Sequence, residues 1–279
     1  SSAIFTTFGT FTSMQERNEL LDLIPKLHCV VVDEAHRASS RVFGRVIQDL
    51  KLNAKIIGLT ATPGRHADSD SDNMALRQLF DSTLISSAKL GEDPIRELQK
   101  RGILAIPKIR FIEGSDYEIF GESGGEISNG TLFALGVDES RNRIIVDELC
   151  KLVAQGHKAL VFSCSVEHSK LLVAGLAAKN ISASYVDSNM SSGRRMGVIN
   201  MFSRGEITVL VNYGILSTGF DVPDISAVVI TRPTSSIVLY SQMLGRGMRG
   251  ISAGGSDDFV VLDIRDNTDS FGEVNDVYN

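Results

Sequence analysis

The sequence is poor in cysteine and lacks any long apolar run. These two absences exclude several classes of protein. Its three cysteines, Cys29, Cys150 and Cys164, are odd in number and far apart. This pattern favours buried free thiols in a reducing, cytoplasmic compartment over a disulfide framework or thiolate metal ligands. No apolar run approaches the ~20 residues that span a bilayer, and no secretory leader pattern stands at the start. We therefore expect no membrane partner.

An excess of positive charge is also missing. The 279 residues carry a net charge of −6, whereas many nucleic-acid-binding domains have a basic excess. The total does not exclude such a role, because a motor can hold nucleic acid through a few backbone contacts within an acidic molecule. The hydrophobic fraction of 43% and the charged fraction of 22% are ordinary for a globular protein with one large or two medium domains.

Strand and helix patterns alternate in the first part of the chain. Leu27–Val32 is a short apolar run rich in β-branched residues, which predicts a buried parallel strand. Arg41–Leu50 has a helical period, and Lys55–Leu59 is a second apolar run. A strand, a helix and a strand at this spacing predict a βαβ unit.

The same alternation returns after an irregular middle, which holds a predicted helix at Ile95–Lys100 and a predicted strand at Lys108–Ile112. The later elements are helix Arg141–Val153, strand Ala159–Ser163, helix Val166–Ala178, strand Ser182–Val186, helix Ser192–Phe202, strand Thr208–Val211, strand Ala227–Thr231, helix Ile237–Leu244 and strand Phe259–Asp263. Alternation of this kind predicts an α/β fold whose parallel sheet is covered on both faces.

We predict two tandem α/β domains joined by a short linker. The first would span residues 1–115 and the second residues 138–279, with residues 116–137 between them. The linker contains the Gly-rich stretch Gly121–Gly130, whose composition is typical of a loop.

Polar clusters follow several of the predicted strands, where parallel sheets bind their ligands. Asp33-Glu34-Ala35-His36 follows the first strand directly. Two adjacent carboxylates suit a magnesium–nucleotide site, because one can hold the metal and the next can orient the attacking water. An acidic helix start after a strand is also a common structural feature, so this tetrapeptide alone leaves both explanations open.

Three further clusters have equally ordinary explanations when each is taken alone. Thr60-Ala61-Thr62 follows the next strand and suits a capped turn. Val209–Ile225 runs from a strand into a Gly-containing loop. Arg246 and Arg249 are three residues apart beyond a helix that carries Gln242. Paired guanidinium groups often lie on a solvated surface, but they also suit a polyphosphate, which Arg can bind through two parallel hydrogen bonds.

Taken together, these clusters resemble the conserved motifs of superfamily 2 DEAD/DEAH-box helicases. DEAH, TAT, FSCS, STGFDVP and QMLGRGMR occur in the order and at the spacing of motifs II to VI. IFTTFGTF at the start resembles motif Ib, a strand and turn that contacts the nucleic-acid backbone. Within the superfamily, RPTSSIVLYSQMLGRGMRG is most similar to bacterial restriction-subunit and XPB-type DNA helicases. The resemblance implies two RecA-like domains, of which the first is incomplete.

The resemblance also implies a role for each matching residue in ATP hydrolysis. Asp33 would hold Mg²⁺ and Glu34 would activate the attacking water. Gln242 would lie near the γ-phosphate, and Arg246 and Arg249 would be arginine fingers. Such a finger typically accelerates hydrolysis by about 10³–10⁵. In this family the fingers come from the second domain, so hydrolysis would need both domains closed around ATP.

Other matching residues would couple the nucleotide to movement along nucleic acid. His36 would link the nucleotide site to Thr60 and Thr62, and Gly219 and Asp221 would contact the nucleotide across the cleft. Three hydroxyl residues are candidate contacts to the phosphate backbone: Thr6, Thr7 and Ser163. The implied cofactors are ATP and Mg²⁺, and the implied partner is nucleic acid, with DNA favoured over RNA. A nuclease or a defence complex is a further possible partner.

The family's phosphate-binding loop, Gly-x-x-x-x-Gly-Lys-Ser/Thr, does not occur in the sequence, which contains no Gly-Lys dipeptide. The chain also begins with Ser1 rather than Met. We therefore expect the N-terminal half of the first domain to lie upstream in the same polypeptide or in another chain, because a sheet stripped of its central strands would expose apolar edges.

Two other functions stay open at this point. An ATPase-inactive, helicase-like module could bind nucleic acid or act as a scaffold, which would suit the missing loop. An unrelated α/β ligand-binding protein would have to match the ordered motifs by chance. We expect an ATP-dependent DNA helicase or translocase, of which these residues form part and which would not hydrolyse ATP without the missing loop.

Overall fold

The computed structural model describes residues 3–16, 24–35, 38, 41–60, 70–85, 87–91, 93–112, 127–215, 222, 224–234 and 236–264. The chain divides into two compact units, Ser1–Ser86 and Ser87–Asn279. Within the described ranges, no helix is long and apolar enough to cross a membrane.

The first unit contains the predicted βαβ arrangement. Its elements in chain order are α1 Phe8–Glu16, β1 Cys29–Val32, α2 Arg41–Lys51, β2 Lys55–Gly58 and α3 Asp70–Leu79. β1 and β2 pair in parallel, with Val32 opposite Gly58. Apolar side chains of α2 and α3, including Ile47, Leu76 and Leu79, are buried against the pair. This packing places the two strand ends side by side at one edge.

The start of the first unit differs from the strand and turn implied by the resemblance. Helix α1 begins at Phe8, and residues 3–7 before it belong to no helix or strand. The Thr7 hydroxyl accepts a hydrogen bond from the Thr10 N–H at 3.2 Å. A hydroxyl just before a helix satisfies an N–H group that has no partner inside the helix. This local cap favours a helix where the family pattern implied a turn.

The second unit is built around a six-stranded parallel sheet. Its elements in chain order are α4 Pro94–Lys100, β3 Ile106–Ile112, α5 Asn129–Val137, α6 Glu139–Ala154, β4 Ala159–Phe162, α7 Val166–Ala178, β5 Ala183–Asp187, α8 Ser192–Ser203, β6 Val209–Tyr213, β7 Ala227–Ile230, α9 Ile237–Gly245 and β8 Asp258–Ile264. The strand order is β3-β8-β7-β4-β6-β5. The prediction of an α/β fold with parallel sheets is therefore confirmed.

Side chains along each central strand alternate between two apolar layers. Leu160 and Phe162 of β4 belong to the layer that includes residues of α8 and α9. Ala159 and Val161 of the same strand belong to the layer formed with α6 and α7. Because successive residues of a strand point to opposite faces, both faces of the sheet are buried, as the continuous apolar runs predict.

The division between the units lies earlier than the sequence indicates. The structure separates them between Ser86 and Ser87, whereas we expected a first domain at residues 1–115 and a linker at residues 116–137. The reason is that β3 pairs in parallel with β8, so that Ile106 lies opposite Asp258. Helix α5 likewise begins inside the expected linker. A pairing between strands so far apart in sequence leaves no local sign of which domain a strand joins.

Candidate functional site

The Asp33–Glu34 turn lies directly at the carboxyl end of β1. Both side chains are exposed, and the Glu34 N–H donates to Asp33 Oδ1 at 2.9 Å. Glu34 has a φ of 51°, a left-handed conformation that costs an L-residue about 1–2 kcal/mol. Strain of this kind persists where the surroundings fix the backbone, and it is common at functional sites. The two carboxylates are thus presented by a strained and defined turn.

Backbone hydrogen bonds join this turn to the end of β2. The Leu59 N–H donates to the Val32 carbonyl at 2.8 Å, and the Ala35 N–H donates to the Leu59 carbonyl at 2.9 Å. Thr60, half-buried, follows Leu59 directly. The structure therefore brings Asp33, Glu34 and Thr60 to the same edge of the strand pair.

Close packing at Gly58 holds the turn against the rest of the unit. A methyl group on Gly58 would lie 2.8 Å from the Ala35 side chain and 2.7 Å from the Phe80 ring. Only a residue without a side chain allows the last residue of β2 to meet both groups. Ala35 is consequently buried, with 3% of its surface exposed.

The chemistry of the turn fits a magnesium–nucleotide complex. Mg²⁺ in such sites is bound by one or two carboxylates together with water and phosphate oxygens. Asp33 offers an exposed carboxylate for this purpose, with Glu34 beside it. Among the described residues, no group of three or more His, Cys, Asp or Glu side chains could hold a metal ion on its own.

In the second unit, Ser163 lies at the carboxyl end of β4 but is not presented to solvent. Only 1% of its surface is exposed. Its hydroxyl lies 2.6 Å from the Ser169 hydroxyl and 3.2 Å from the Asn212 carbonyl. Its N–H donates to the same Asn212 carbonyl. The structure therefore does not present the Ser163 hydroxyl or N–H for the predicted contact with a phosphate backbone, because both groups bond within the fold.

Beneath the same edge lies a buried polar cluster that the sequence analysis missed. Arg141 is 2% exposed, and its Nη2 donates to the Thr231 carbonyl at 2.6 Å. His168 is fully buried, and its Nδ1 accepts from the Cys164 N–H at 3.1 Å. Burial, and secondly the charge of Arg141, lower the pKa of His168 to about 3. The spacing of Arg141 from Ile145 places it on the apolar face of α6, which was the available signal.

Helix α9 carries the candidate nucleotide-binding residues of the second unit. The Ser236 hydroxyl caps its start by accepting from the Leu239 N–H at 3.3 Å. Gln242 is half-buried along the helix, and Arg246 follows its last residue. Arg249 lies three residues further, in an isolated antiparallel bridge with Leu104. The three residues therefore follow one another along the end of α9 and the turn after it.

The remaining candidates divide into two groups. Thr6 and Thr7 are both exposed before α1, and the Thr6 hydroxyl donates to the Thr7 carbonyl at 3.3 Å. Four candidates lie outside the described residues: His36, Thr62, Gly219 and Asp221.

Two family models match the chain, one in each half. Residues 1–65 match the model described as type III restriction enzyme, res subunit. Residues 142–250 match the model described as helicase conserved C-terminal domain. The first match includes Asp33 and Glu34, and the second includes Gln242, Arg246 and Arg249.

The chain is also similar to individual proteins. The chain is 28% identical over 232 residues to a 51.5 kDa protein of a Lactococcus phage, covering 82% of this chain and 48% of that protein. It is 24% identical over 285 residues to the type I restriction enzyme EcoKI endonuclease subunit of Escherichia coli, covering 87% of this chain and 24% of that subunit. The chain therefore spans at most about half the length of these relatives.

A solved structure shares the fold of the chain. Saccharomyces cerevisiae Dbp5 bound to RNA and ADP BeF3 superimposes with a TM-score of 0.59 at 16% identity, covering 97% of this chain and 61% of that one. At this level of identity the likeness concerns the fold alone.

Proposed function

Because one part of the chain matches a restriction-enzyme subunit model and another a helicase C-terminal model, we propose that the complete protein is a superfamily 2 helicase, an ATP-driven motor that moves along nucleic acid. The observation that carries the proposal is the Asp33–Glu34 turn, which ends the parallel strand β1 inside the segment matched by the restriction-enzyme model. An ATP-dependent helicase or translocase needs adjacent carboxylates at such a strand end. The proposal concerns the complete protein, because the chain spans 48% of one relative and 24% of another.

Each residue of the turn has a proposed task. Asp33 would hold Mg²⁺, and Glu34 would orient and deprotonate the water that attacks the γ-phosphate. Mg²⁺-bound ATP would supply the phosphoryl group. Thr60 directly follows Leu59, which is hydrogen-bonded to Val32 and Ala35 on either side of the turn. This place suits a residue that passes the state of the nucleotide site to its neighbours.

The second unit would supply the positive charge for the reaction. Arg246 and Arg249 would neutralise charge that develops on the transferred phosphoryl group, and Gln242 would lie near it. Hydrolysis also needs a phosphate-binding loop, and the 279 residues contain no Gly-Lys dipeptide.

We propose DNA as the substrate, since the matched model is a restriction-enzyme subunit. Thr6 and Thr7, with exposed hydroxyls beside the start of α1, would contact the phosphate backbone rather than the bases. A nuclease or another subunit of a defence complex would be a natural partner for such a motor.

Replacing Glu34 by Gln in the complete protein tests the assignment. The substitution keeps the size and the left-handed backbone of the residue but removes the base, so kcat should fall by about 10²–10⁴ while ATP still binds. Glu139→Gln, at an exposed position in the first turn of α6, serves as the matched control and should keep full turnover.

Two results would contradict the proposal. Unchanged turnover in Glu34→Gln would remove the role assigned to Glu34. Absence of nucleic-acid-stimulated turnover in the complete wild-type protein would instead favour a helicase-like binding or scaffolding module.

A further inference from the structure

A short segment after α4 is joined to the turn that carries the candidate arginine fingers. We name residues 101–105 the clamp segment and residues 246–250 the arginine turn. The Ala105 N–H donates to the Met248 carbonyl at 2.9 Å, and the Gly250 N–H donates to the Ile103 carbonyl at 2.9 Å. Between these bonds, Leu104 lies opposite Arg249 in an antiparallel bridge. The backbone of Arg249 is therefore held on both sides.

Glycines allow the two segments to approach this closely. A methyl group on Gly250 would overlap the Gly102 carbonyl, and a methyl group on Gly255 would overlap the Arg249 carbonyl. The Ser252 N–H adds a further hydrogen bond to the Gly102 carbonyl at 2.9 Å. The contacts here are between backbone atoms. If the clamp segment were displaced, the rotation of a side chain could not relieve the resulting steric clash.

The clamp segment is itself fixed within the second unit. Arg101 donates through Nη2 to the Lys89 carbonyl at 2.6 Å and through Nε to Glu97 at 2.9 Å. Ala105 is fully buried, and Leu104 packs against the same apolar layer as Met248. The chain reaches this segment through α4, soon after the division between the units at Ser86. The clamp segment is therefore packed and hydrogen-bonded as part of the second unit.

We propose that Gly102 is a positioning residue for Arg249, because its left-handed backbone sets the path of the clamp segment. Gly102 has a φ of 64°, which glycine adopts freely and β-branched residues adopt only under strain. An arginine finger must be placed accurately, since a shift of about 1 Å can cost about 10²-fold in rate. This inference rests on the proposed function and extends it to residues outside the helicase motifs.

The chain offers a matched control for changing Gly102. Gly91 has the same φ of 64°, and a methyl group there would meet nothing within 4 Å. Gly102→Val and Gly91→Val therefore introduce the same side chain at two glycines of positive φ, of which only Gly102 belongs to the clamp segment. Gly102→Asn provides the rescue, because Asn tolerates the left-handed region.

The test measures ATP turnover of the complete protein with nucleic acid present. We expect Gly102→Val to lower kcat by about tenfold or more while the KM for ATP stays within about threefold, as when a transition-state contact is lost. Gly91→Val and Gly102→Asn should stay close to the wild-type kcat. Equal kcat values for Gly102→Val and Gly91→Val would overturn the inference.

Three further variants keep the test decisive. Arg249→Ala separates the inference from the proposed function: if it keeps the wild-type kcat, the finger assignment itself fails. If it loses kcat while Gly102→Val matches Gly91→Val, only the positioning role fails. Should Gly102→Val not fold, as judged by its melting temperature, Gly102→Ala against Gly91→Ala applies the same comparison with less strain.

Discussion

Tyr240 donates its hydroxyl to Asp263 Oδ2 across 2.8 Å in the interior of the second unit. Tyr240 lies on α9 and is 2% exposed, and Asp263 lies on β8 and is 1% exposed. The contact ties the helix that carries Gln242 to the sheet beneath it. A buried carboxylate is costly without hydrogen bonds. This bond therefore stabilises the fold and holds α9 in place on the sheet.

Removing the Tyr240 hydroxyl should destabilise the second unit. In Tyr240→Phe, Asp263 keeps its burial but loses a hydrogen bond, which costs about 1–3 kcal/mol in the free energy of unfolding. Urea unfolding measures the difference. Tyr185→Phe is the control, because Tyr185 is half-buried and its hydroxyl makes no hydrogen bond in the described part of the chain. Similar losses in both variants would mean that the Tyr240–Asp263 bond contributes nothing specific.

His168 should make stability depend on pH below neutrality. Its pKa is lowered from 6.5 to about 3 in the folded protein, so in the unfolded chain the imidazole binds a proton at a higher pH. Between about pH 3 and pH 6.5 the His168 imidazole is therefore protonated in the unfolded chain and neutral in the folded protein. Stability conferred by the neutral imidazole is therefore complete above about pH 6.5 and is lost as the pH falls towards about 3.

The slope should reach about 1.4 kcal/mol per pH unit. His168→Asn keeps an acceptor for the Cys164 N–H but cannot titrate, so its unfolding free energy should vary less between about pH 7 and about pH 5. Denaturant unfolding at several pH values measures this slope. His157→Asn controls for replacing an imidazole elsewhere in the unit, and an unchanged slope in His168→Asn would contradict the assignment.

Gly58→Ala should disturb the Asp33–Glu34 turn through Ala35. The added methyl group would lie 2.8 Å from the Ala35 side chain and 2.7 Å from the Phe80 ring, and overpacking of this kind costs about 1–3 kcal/mol. We expect a lower melting temperature and a reduced kcat for ATP.

Gly44→Ala is the matched control for this change. Gly44 lies in α2, where a methyl group would meet its nearest neighbour, the Ala38 carbonyl, at 3.5 Å. This is an ordinary contact, and Ala is favoured over Gly within helices. A melting temperature for Gly58→Ala equal to that of Gly44→Ala would show that the contact with Ala35 and Phe80 is not restrictive.

Local patterns predicted most of the helices and strands, because the spacing of apolar residues that distinguishes them is visible within a few residues. The structure forms α7 over Val166–Ala178, as the spacing of apolar residues predicts. The order of the motifs also indicated the family, which the matches at residues 1–65 and 142–250 support.

Patterns that depend on distant neighbours could not be predicted in this way. Ser163 has the sequence context of a surface hydroxyl, yet packing of α7 and β6 buries it. The spacing of Arg141 places it on the apolar face of α6, but only the packed structure shows its hydrogen bond to the Thr231 carbonyl.

The sequence by itself determined the alternation of strands and helices and the presence of Asp33 and Glu34 at a strand end, since these follow from the order of neighbouring residues. Only the tertiary structure decided that β3 joins β8 and that the clamp segment holds Arg249. Those contacts join residues more than a hundred positions apart. Their register depends on how the whole sheet and its helices pack, which no local period specifies.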